Sequence, residues 1–244
     1  MDLELVGVVT DPGSGLTPRS ARRAGVELLD PEAELVPQYR DLLRRYDRLI
    51  SLHASSRICP MYRRVREAGP DPARVRLVDT GLGSAGLGAA AKRAAELLRQ
   101  GAGEGEAVLE IERLRKEGRF LLATYDLSRL VENRLLPPMG DRFGQALGLW
   151  ALLTLERGAF RVPPLPVPRA RVIPTLAGML GRRLGGRRAR VRLVVGDLPE
   201  ALKEEAKRAL AGILDLERAT LAPMDPLARG QVGDHAMAVF AYPV

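Results

Sequence analysis

Residues 74–86, with the sequence RVRLVDTGLGSAG, contain an apolar strand that ends in a glycine-rich turn. A helical pattern follows at once, with Leu87, Ala91, Ala94 and Leu98 on one face of the predicted helix. A buried strand, a tight turn and an amphipathic helix form the repeating unit of a parallel sheet covered by helices. This stretch therefore predicts an α/β fold.

The same alternation extends in both directions from this stretch. Strands rich in valine, leucine and isoleucine are predicted at residues 5–10, 26–29, 48–53, 74–79 and 120–125. Helical patterns separate most of them, and Thr17 with Pro18 forms a good cap and first-turn pair for the first helix. We expect residues 1–138 to form an N-terminal domain with a mostly parallel sheet flanked by helices.

The pattern changes after residue 126. Residues 127–150 look helical apart from a break at Pro137-Pro138, and four prolines between residues 159 and 170 indicate an extended connector. Helices are then predicted at 173–184 and 198–214, and strands at 189–195, 217–222 and 236–242. Because no helical pattern separates the last two strands, we expect a mixed or antiparallel sheet. Residues 139–244 should form a smaller C-terminal α/β domain.

The composition is that of an ordinary globular protein, with 46% apolar and 28% charged residues. The net charge of +8 does not indicate nucleic-acid binding, because basic residues are mixed with acidic ones and only 4% of residues are aromatic. No apolar run reaches the roughly 18 residues that span a membrane, and the first residues do not resemble a signal peptide. The single cysteine, Cys59, fits a reducing compartment, so we expect a cytoplasmic protein.

Three local patterns permit other chemistry. Gly81-Leu-Gly-Ser-Ala-Gly86 has the spacing of a dinucleotide site, but it follows a later strand, and no acidic strand end lies about twenty residues beyond it. A tight turn with close helix packing is the alternative. The turn Asp11–Gly15 could hold an anion or simply connect a strand to a helix. Cys59 with His53 or His235 could supply a nucleophile and a base, although no orienting third group is evident. With two histidines and no Cys/His cluster, we expect no metal site and no cofactor.

Several short motifs occur in the order shown by the DegV family of fatty-acid-binding proteins. VVTD at 8–11 with LTP at 16–18 resembles the family's T-D-S…L-P, and ISLHASS at 50–56 resembles its I-x-x-S-S. The segments that resemble later family motifs are 78–88 (D-S…S-x-G-x-G), 127–135 (L…G-G-R-I), 196–210 (the G-D helix) and 231–234 (H-x-G-P). The chain is thereby identified, by resemblance, as a divergent and shortened member of this family.

The resemblance implies two α/β domains with a long-chain fatty acid, or a similar amphiphile, in the cleft between them. It also implies a non-catalytic carrier that presents the carboxylate to a separate fatty-acid kinase. Burial of an acyl chain supplies about 0.8 kcal/mol per CH₂, and the carboxylate needs donors because an unpaired buried charge is costly. The head group is expected near Ser55, Ser56, Arg57, Cys59, Arg134 and Gln231.

The sequence departs from the family pattern where the head group is expected. The T-S-Q-P-S segment is absent, and Ile58-Cys-Pro-Met61 replaces L-S-G-T, so a thiol replaces a hydroxyl and a proline removes an amide. Gln231 takes the place of the family histidine and cannot carry a charge.

Two other hypotheses follow from the sequence. The same broad fold resembles the substrate-binding part of dihydroxyacetone kinases, which implies small-molecule phosphotransfer with His53 or His235 as the reactive histidine. The third hypothesis is a degenerate member of the family without a lipid ligand. Its cleft would be filled by its own side chains, such as Met61 and Met139.

Overall fold

The computed structural model describes residues 4–136, 147–162, 166–213 and 216–244. The chain divides into two compact units. The first comprises Met1–Lys116 together with Arg157–Ala159, and the second comprises Glu117–Glu156 and Phe160–Val244. The predicted boundary at residue 138 lies outside the described residues and stays a prediction.

The first unit alternates strands and helices, as the sequence predicts. Its strands are β1 (Val6–Thr10), β2 (Val26–Leu28), β3 (Arg48–His53) and β4 (Val75–Asp79). Its helices are α1 (Pro18–Ala24), α2 (Leu35–Leu42), α3 (Met61–Ala68), α4 (Ser84–Arg99) and α5 (Glu104–Glu117). A 3-10 turn, Pro12–Ser14, lies between β1 and α1. The predicted strands of this part are thus confirmed.

The four strands of the first unit form a parallel sheet in the order β2-β1-β3-β4. Val8 of β1 lies beside Val26 of β2 on one side and beside Ile50 of β3 on the other. Residues on both faces of the central strands are buried, which explains their continuous apolar runs. The prediction of a mostly parallel N-terminal sheet is confirmed.

The predicted start of helix α1 is also confirmed. The Thr17 hydroxyl accepts a hydrogen bond from the Ser20 amide at 3.2 Å, and Pro18 is the first helical residue. The helix ends at Gly25, whose φ of 71° is a left-handed conformation that glycine adopts without strain. These two ends keep α1 to seven residues and lead the chain directly into β2.

The other elements of the described residues lie wholly or mostly in the second unit. The strands are β5 (Arg119–Thr124), β6 (Leu149–Glu156), β7 (Ala159–Arg161), β8 (Val167–Pro168), β9 (Ala189–Val195), β10 (Leu216–Pro223) and β11 (Ala236–Pro243). The helices are α6 (Leu127–Glu132), α7 (Arg169–Leu184), α8 (Glu200–Ile213) and α9 (Pro226–Val232). Among the described residues, none of the helices combines the length and apolar character needed to cross a membrane.

The second sheet has the order β10-β9-β11-β5-β6-β7, with β8 beside β6. Strand β10 is parallel to β9, whereas β11 is antiparallel to both β9 and β5, so the predicted mixed sheet is confirmed. One face of this sheet packs against α7 and α8 in a single apolar core. Buried side chains of that core include Leu121, Leu152, Leu193, Val239, Leu176 and Leu202.

Two predictions for the second half are wrong. Among the described residues, the helical structure predicted over 127–150 is limited to α6, which ends at Glu132, and Leu149 and Trp150 lie in strand β6. The leucine- and alanine-rich β6 favours a helix by propensity, but its pairing with β5 decides the outcome. A helix does lie between the last two strands, since Asp225 caps α9 by accepting from the Ala228 amide at 2.8 Å. Pro137, Pro138 and Met139 lie outside the described residues.

Candidate functional site

The order of the strands in the first sheet identifies a candidate ligand site. Strands β1 and β3 are neighbours, yet the chain passes through β2 before it returns to β3 on the other side of β1. In open α/β sheets, ligands bind beyond the carboxyl ends of the strands at such a reversal, where the two loops diverge. The loops here are Asp11–Gly15 after β1 and Ala54–Cys59 after β3.

The loop after β1 is a closed turn. Asp11 Oδ1 accepts a hydrogen bond from the Gly13 amide at 2.8 Å, and the next two amides donate to backbone carbonyls inside the turn. The Leu16 amide donates to Ser14 Oγ at 3.3 Å. Because these four amides already have acceptors, the turn connects a strand to a helix and does not offer them to an anion.

A chain of buried hydrogen bonds connects this turn to β3 and α2. Asp11 Oδ2 lies 2.9 Å from His53 Nδ1, and His53 Nε2 lies 2.8 Å from Ser51 Oγ. The Ser51 hydroxyl is in turn 2.6 Å from the Tyr39 hydroxyl. Burial raises the pKa of Tyr39 above its ordinary value. Both ring nitrogens of His53 are therefore engaged, and neither is available as a base for Cys59.

The loop after β3 folds back on itself at Ser55. The Ser55 carbonyl accepts from the amides of Ile58 and Cys59 at 3.0 and 2.9 Å, and the Ser55 amide donates to the Leu82 carbonyl at 2.7 Å. The Cys59 side chain is buried at the end of this turn, just before α3 begins. The structure thus brings together the four head-group residues predicted at 55–59.

The side chains of Ser55 and Arg57 reach the same short segment of backbone. Ser55 Oγ donates to the Gly158 carbonyl at 2.7 Å, and Arg57 Nη1 donates to the Arg157 carbonyl at 3.0 Å. Ser55 is almost fully buried, whereas Arg57 is exposed. A hydroxyl and a guanidinium therefore converge on two consecutive carbonyl oxygens, the kind of donor pair that a carboxylate requires.

The glycine-rich turn after β4 is a packing feature. The Asp79 carboxylate accepts from the Gly81 amide at 3.1 Å and from the Ser56 amide at 3.3 Å. A Cβ atom at Gly83 would lie 2.8 Å from Ile58 Cδ1, so the loop after β3 fills the space beside this glycine. Of the two interpretations of G-x-G-x-x-G, the geometry favours the tight turn with close packing.

The other two predicted residues, Arg134 and Gln231, lie in the second unit. Arg134 follows α6 with a φ of 57°, and its amide donates to the Val131 carbonyl at 2.9 Å. Gln231 lies in α9, and its carbonyl accepts from the side-chain amide of Asn133 at 3.0 Å. The structure therefore places Arg134 beside the segment that carries Gln231.

The sequence did not indicate a second pair, Asp126 and His235. Asp126 Oδ1 lies 2.9 Å from His235 Nδ1, and Asp126 Oδ2 accepts from the His235 amide at 2.7 Å. Gly233 lies against the Asp126 side chain, and a Cβ atom there would overlap the carboxylate. The imidazole is more than half exposed, so this pair is a surface feature of the second unit. Among the described residues, no group of three or more His, Cys, Asp or Glu side chains is arranged to hold a metal ion.

The first unit has a parallel sheet with a polar loop where the strand order reverses, and the second unit has a mixed seven-stranded sheet with its own core. These features define a class of two-unit α/β proteins. The chain belongs to the DegV family, whose model, described as an uncharacterised protein of the DegV family, matches residues 29–244. The family predicted from the sequence is confirmed.

Individual proteins resemble this chain in sequence or in fold. A DegV domain-containing protein of Deinococcus radiodurans is 30% identical over 201 residues, which cover 80% of this chain and 69% of that protein. A fatty-acid-binding DegV family protein from Thermus thermophilus has a TM-score of 0.85 at 22% identity, over 98% of this chain and all of the other. A Eubacterium eligens family member loaded with heptadecanoic acid has a TM-score of 0.79 at 11% identity, over 98% and 100% of the two chains.

Proposed function

We propose that this protein binds a long-chain fatty acid or a similar amphiphile without catalysing a reaction. The observation that carries the proposal is the convergence of the Ser55 hydroxyl and the Arg57 guanidinium at the strand-order reversal of the first sheet. Family members of the same fold bind fatty acids in their solved structures, which supports the same class of ligand here.

The donors suit a carboxylate for a physical reason. A carboxylate accepts hydrogen bonds only, and its bonds to charged donors are shorter and about twice as strong as those between neutral groups. Arg57 supplies a permanent positive charge and Ser55 supplies a buried hydroxyl. We include Ser56 and Cys59 as neighbours of this pair in the same loop, and Arg134 and Gln231 as contributors from the second unit.

The finer parts of the proposal rest on the family resemblance. They are that the acyl chain lies in the cleft between the two domains, that the carboxylate is presented to a partner fatty-acid kinase, and that the protein works in the cytoplasm. Mixing the loaded protein with a fatty-acid kinase and ATP tests the second part, because acyl phosphate should form only when both proteins are present.

The primary test is direct binding. Recombinant protein should release fatty acid on organic extraction, and the delipidated protein should bind palmitate in isothermal titration calorimetry. Hexadecanol, which lacks the carboxylate, should bind more weakly. Repeated recovery of empty protein together with no uptake of palmitate would instead support a degenerate member of the family without a lipid ligand.

Phosphotransfer by a reactive histidine stays the alternative prediction. His53 is fully buried with both ring nitrogens in contact, whereas His235 is exposed and its Nδ1 is held by Asp126. The alternative therefore depends on His235. If His235→Ala leaves phosphoryl transfer to dihydroxyacetone unchanged, or if no transfer occurs in the wild type, this alternative is excluded.

A further inference from the structure

We propose that the turn Arg157-Gly158 is a built-in competitor that occupies the head-group donors until a ligand carboxylate replaces it. This inference rests on the proposed function and concerns the regulation of the same site. Its basis is that the two donors assigned to the ligand, Ser55 and Arg57, both donate to carbonyl oxygens of this one turn. Two adjacent carbonyl oxygens are chemically close to the two oxygens of a carboxylate, although they carry no net charge.

The backbone conformation of the turn sets the direction in which the carbonyl oxygens of Arg157 and Gly158 point. Strands β6 and β7 are neighbours in the sheet and are joined by two residues, Arg157 and Gly158, with φ angles of 51° and 76°. Two successive left-handed residues are typical of a tight hairpin turn that matches the twist of its strands. An arginine adopts this conformation only at a cost in free energy, because its Cβ crowds the next carbonyl oxygen.

The close approach also requires glycine at position 158. A Cβ atom there would overlap Ser55 Oγ and would lie 3.3 Å from Ser55 Cβ. A hydrogen bond between the Ser55 hydroxyl and the Gly158 carbonyl therefore forms only because no side chain intervenes. The turn and the loop after β3 fit each other at this one point.

The exchange of partners is favourable for a carboxylate. Without a ligand, the buried Ser55 hydroxyl has the Gly158 carbonyl as its acceptor, which avoids the penalty of an unsatisfied buried donor. A carboxylate is a stronger acceptor because it is charged, so it can displace the neutral carbonyl. A neutral amphiphile lacks this advantage. The turn should thus lower the affinity for every ligand, and most of all for ligands without a carboxylate.

The main test changes the turn and leaves both donors intact. Gly158→Ala should push the carbonyl away from Ser55 and lower the Kd for palmitate about fivefold, the effect of losing one competing hydrogen bond. The control is Gly148→Ala, because Gly148 also has a left-handed φ of 63° but a Cβ there would meet nothing within 4 Å. Calorimetry with palmitate should show no change in that control.

A second variant acts in the opposite direction and keeps the fold. Arg157→Gly relieves the cost of the left-handed conformation, so the turn becomes a better competitor and the Kd for palmitate should rise about fivefold. Arg157→Gln removes the same charge but retains the strain of the left-handed conformation, so it separates the effect of the charge from the effect of the strain. Its Kd should stay near that of the wild type.

The outcomes separate this inference from the proposed function. If the wild type, Gly158→Ala and Arg157→Gly all bind palmitate with one common Kd, the competitor is overturned and the proposal of a fatty-acid carrier is unaffected. A weaker affinity in Gly158→Ala together with a tighter one in Arg157→Gly also overturns it, since the turn would then be part of the binding site. Failure of the wild type and of every variant to bind palmitate overturns the proposed function and this inference with it.

Discussion

Asp11 and His53 are 42 positions apart in the sequence, yet their side chains meet at the ends of neighbouring strands, with Oδ2 at 2.9 Å from Nδ1. Both residues are almost completely buried. The carboxylate also accepts from the Gly13 amide, and the imidazole also contacts Ser51. All the polar atoms that take part in these contacts, where the strand order reverses, therefore have a partner. The contacts fix the two loops that flank the site to the sheet.

Removal of the His53 imidazole should lower the free energy of unfolding. His53→Leu has a similar volume but leaves the Asp11 carboxylate and the Ser51 hydroxyl each without one buried partner. We expect a loss of about 3 kcal/mol in the free energy of unfolding, because a buried carboxylate and a buried hydroxyl that each lose a hydrogen-bond partner are costly. Urea denaturation followed by circular dichroism measures this loss.

The chain supplies a matched control for that experiment. His235 also contacts an aspartate through Nδ1 at 2.9 Å, but its side chain is 56% exposed. His235→Leu should therefore cost less than about 1 kcal/mol, because contacts between exposed polar side chains add little to stability. Equal losses for the two variants would show that burial does not set the strength of the Asp11–His53 contact.

The sequence predicted the first sheet well because its strands are buried on both faces. Leu49, Ile50 and Leu52 follow one another closely in β3, and a short apolar run bounded by polar turns is the pattern of a parallel strand. Strand β6 was missed because leucine and alanine favour helices, and its strand conformation depends on pairing with β5. The start of helix α9 is indicated in the sequence by Asp225-Pro226, a capping residue followed by a first-turn proline.

The candidate site was predicted only in part. Ser55, Ser56, Arg57 and Cys59 are close in sequence, so their proximity in one loop follows from the local pattern. The partners of Ser55 and Arg57 lie 103 and 100 positions further on, and no local pattern indicates such contacts. The two-residue spacing of Ser51 and His53 on β3 does place both side chains on one face. Their contacts with Tyr39 and Asp11 depend on how three elements pack.

Gly233 should be sensitive to any side chain. Its φ of 86° and ψ of 174° are available almost only to glycine, and a Cβ atom would overlap the Asp126 carboxylate. Gly233→Ala should therefore lower the free energy of unfolding by about 3 kcal/mol. The single tryptophan, Trp150, is buried in the second unit, so its fluorescence during urea denaturation reports this change.

Gly212 provides the comparison in the same unit. It lies within helix α8, and a Cβ atom there would meet nothing within 4 Å. Gly212→Ala should be neutral or stabilising by about 0.5 kcal/mol, because alanine has the higher helix propensity. If both substitutions had the same effect, contact between Gly233 and Asp126 would not be the cause of the loss.

Glu110 should make stability depend on pH in the acid range. Hydrogen bonds from Arg113, followed by contact with Arg93, hold the pKa of its carboxyl below the ordinary value of 4.5. A lowered pKa in the folded state adds stability above the ordinary pKa, and this stability is lost as the pH falls through the folded pKa. At neutral pH, Glu110→Gln should be less stable than the wild type by about 1 kcal/mol.

The difference in stability between the wild type and Glu110→Gln should disappear on acidification. As the pH falls through the lowered pKa of the folded protein, Glu110 becomes protonated and resembles the glutamine that replaces it. Glu112→Gln removes the same charge from an exposed position on the same helix and should show little difference at any pH. Thermal melts at several pH values measure both. A gap that stays constant down to strongly acid pH would mean that the ion pairs of Glu110 add no stability.

Arg57 should distinguish ligands by their charge. Arg57→Gln keeps a hydrogen-bond donor but removes the positive charge, so the Kd for palmitate should rise about tenfold at low salt. The effect should shrink at high salt because the guanidinium is exposed and screened. Hexadecanol should bind the variant and the wild type equally. Arg40→Gln, which removes a charge from an exposed position on α2, should leave both affinities unchanged. If Arg57→Gln weakened palmitate and hexadecanol equally, Arg57 would support the loop after β3 and would not contact the carboxylate.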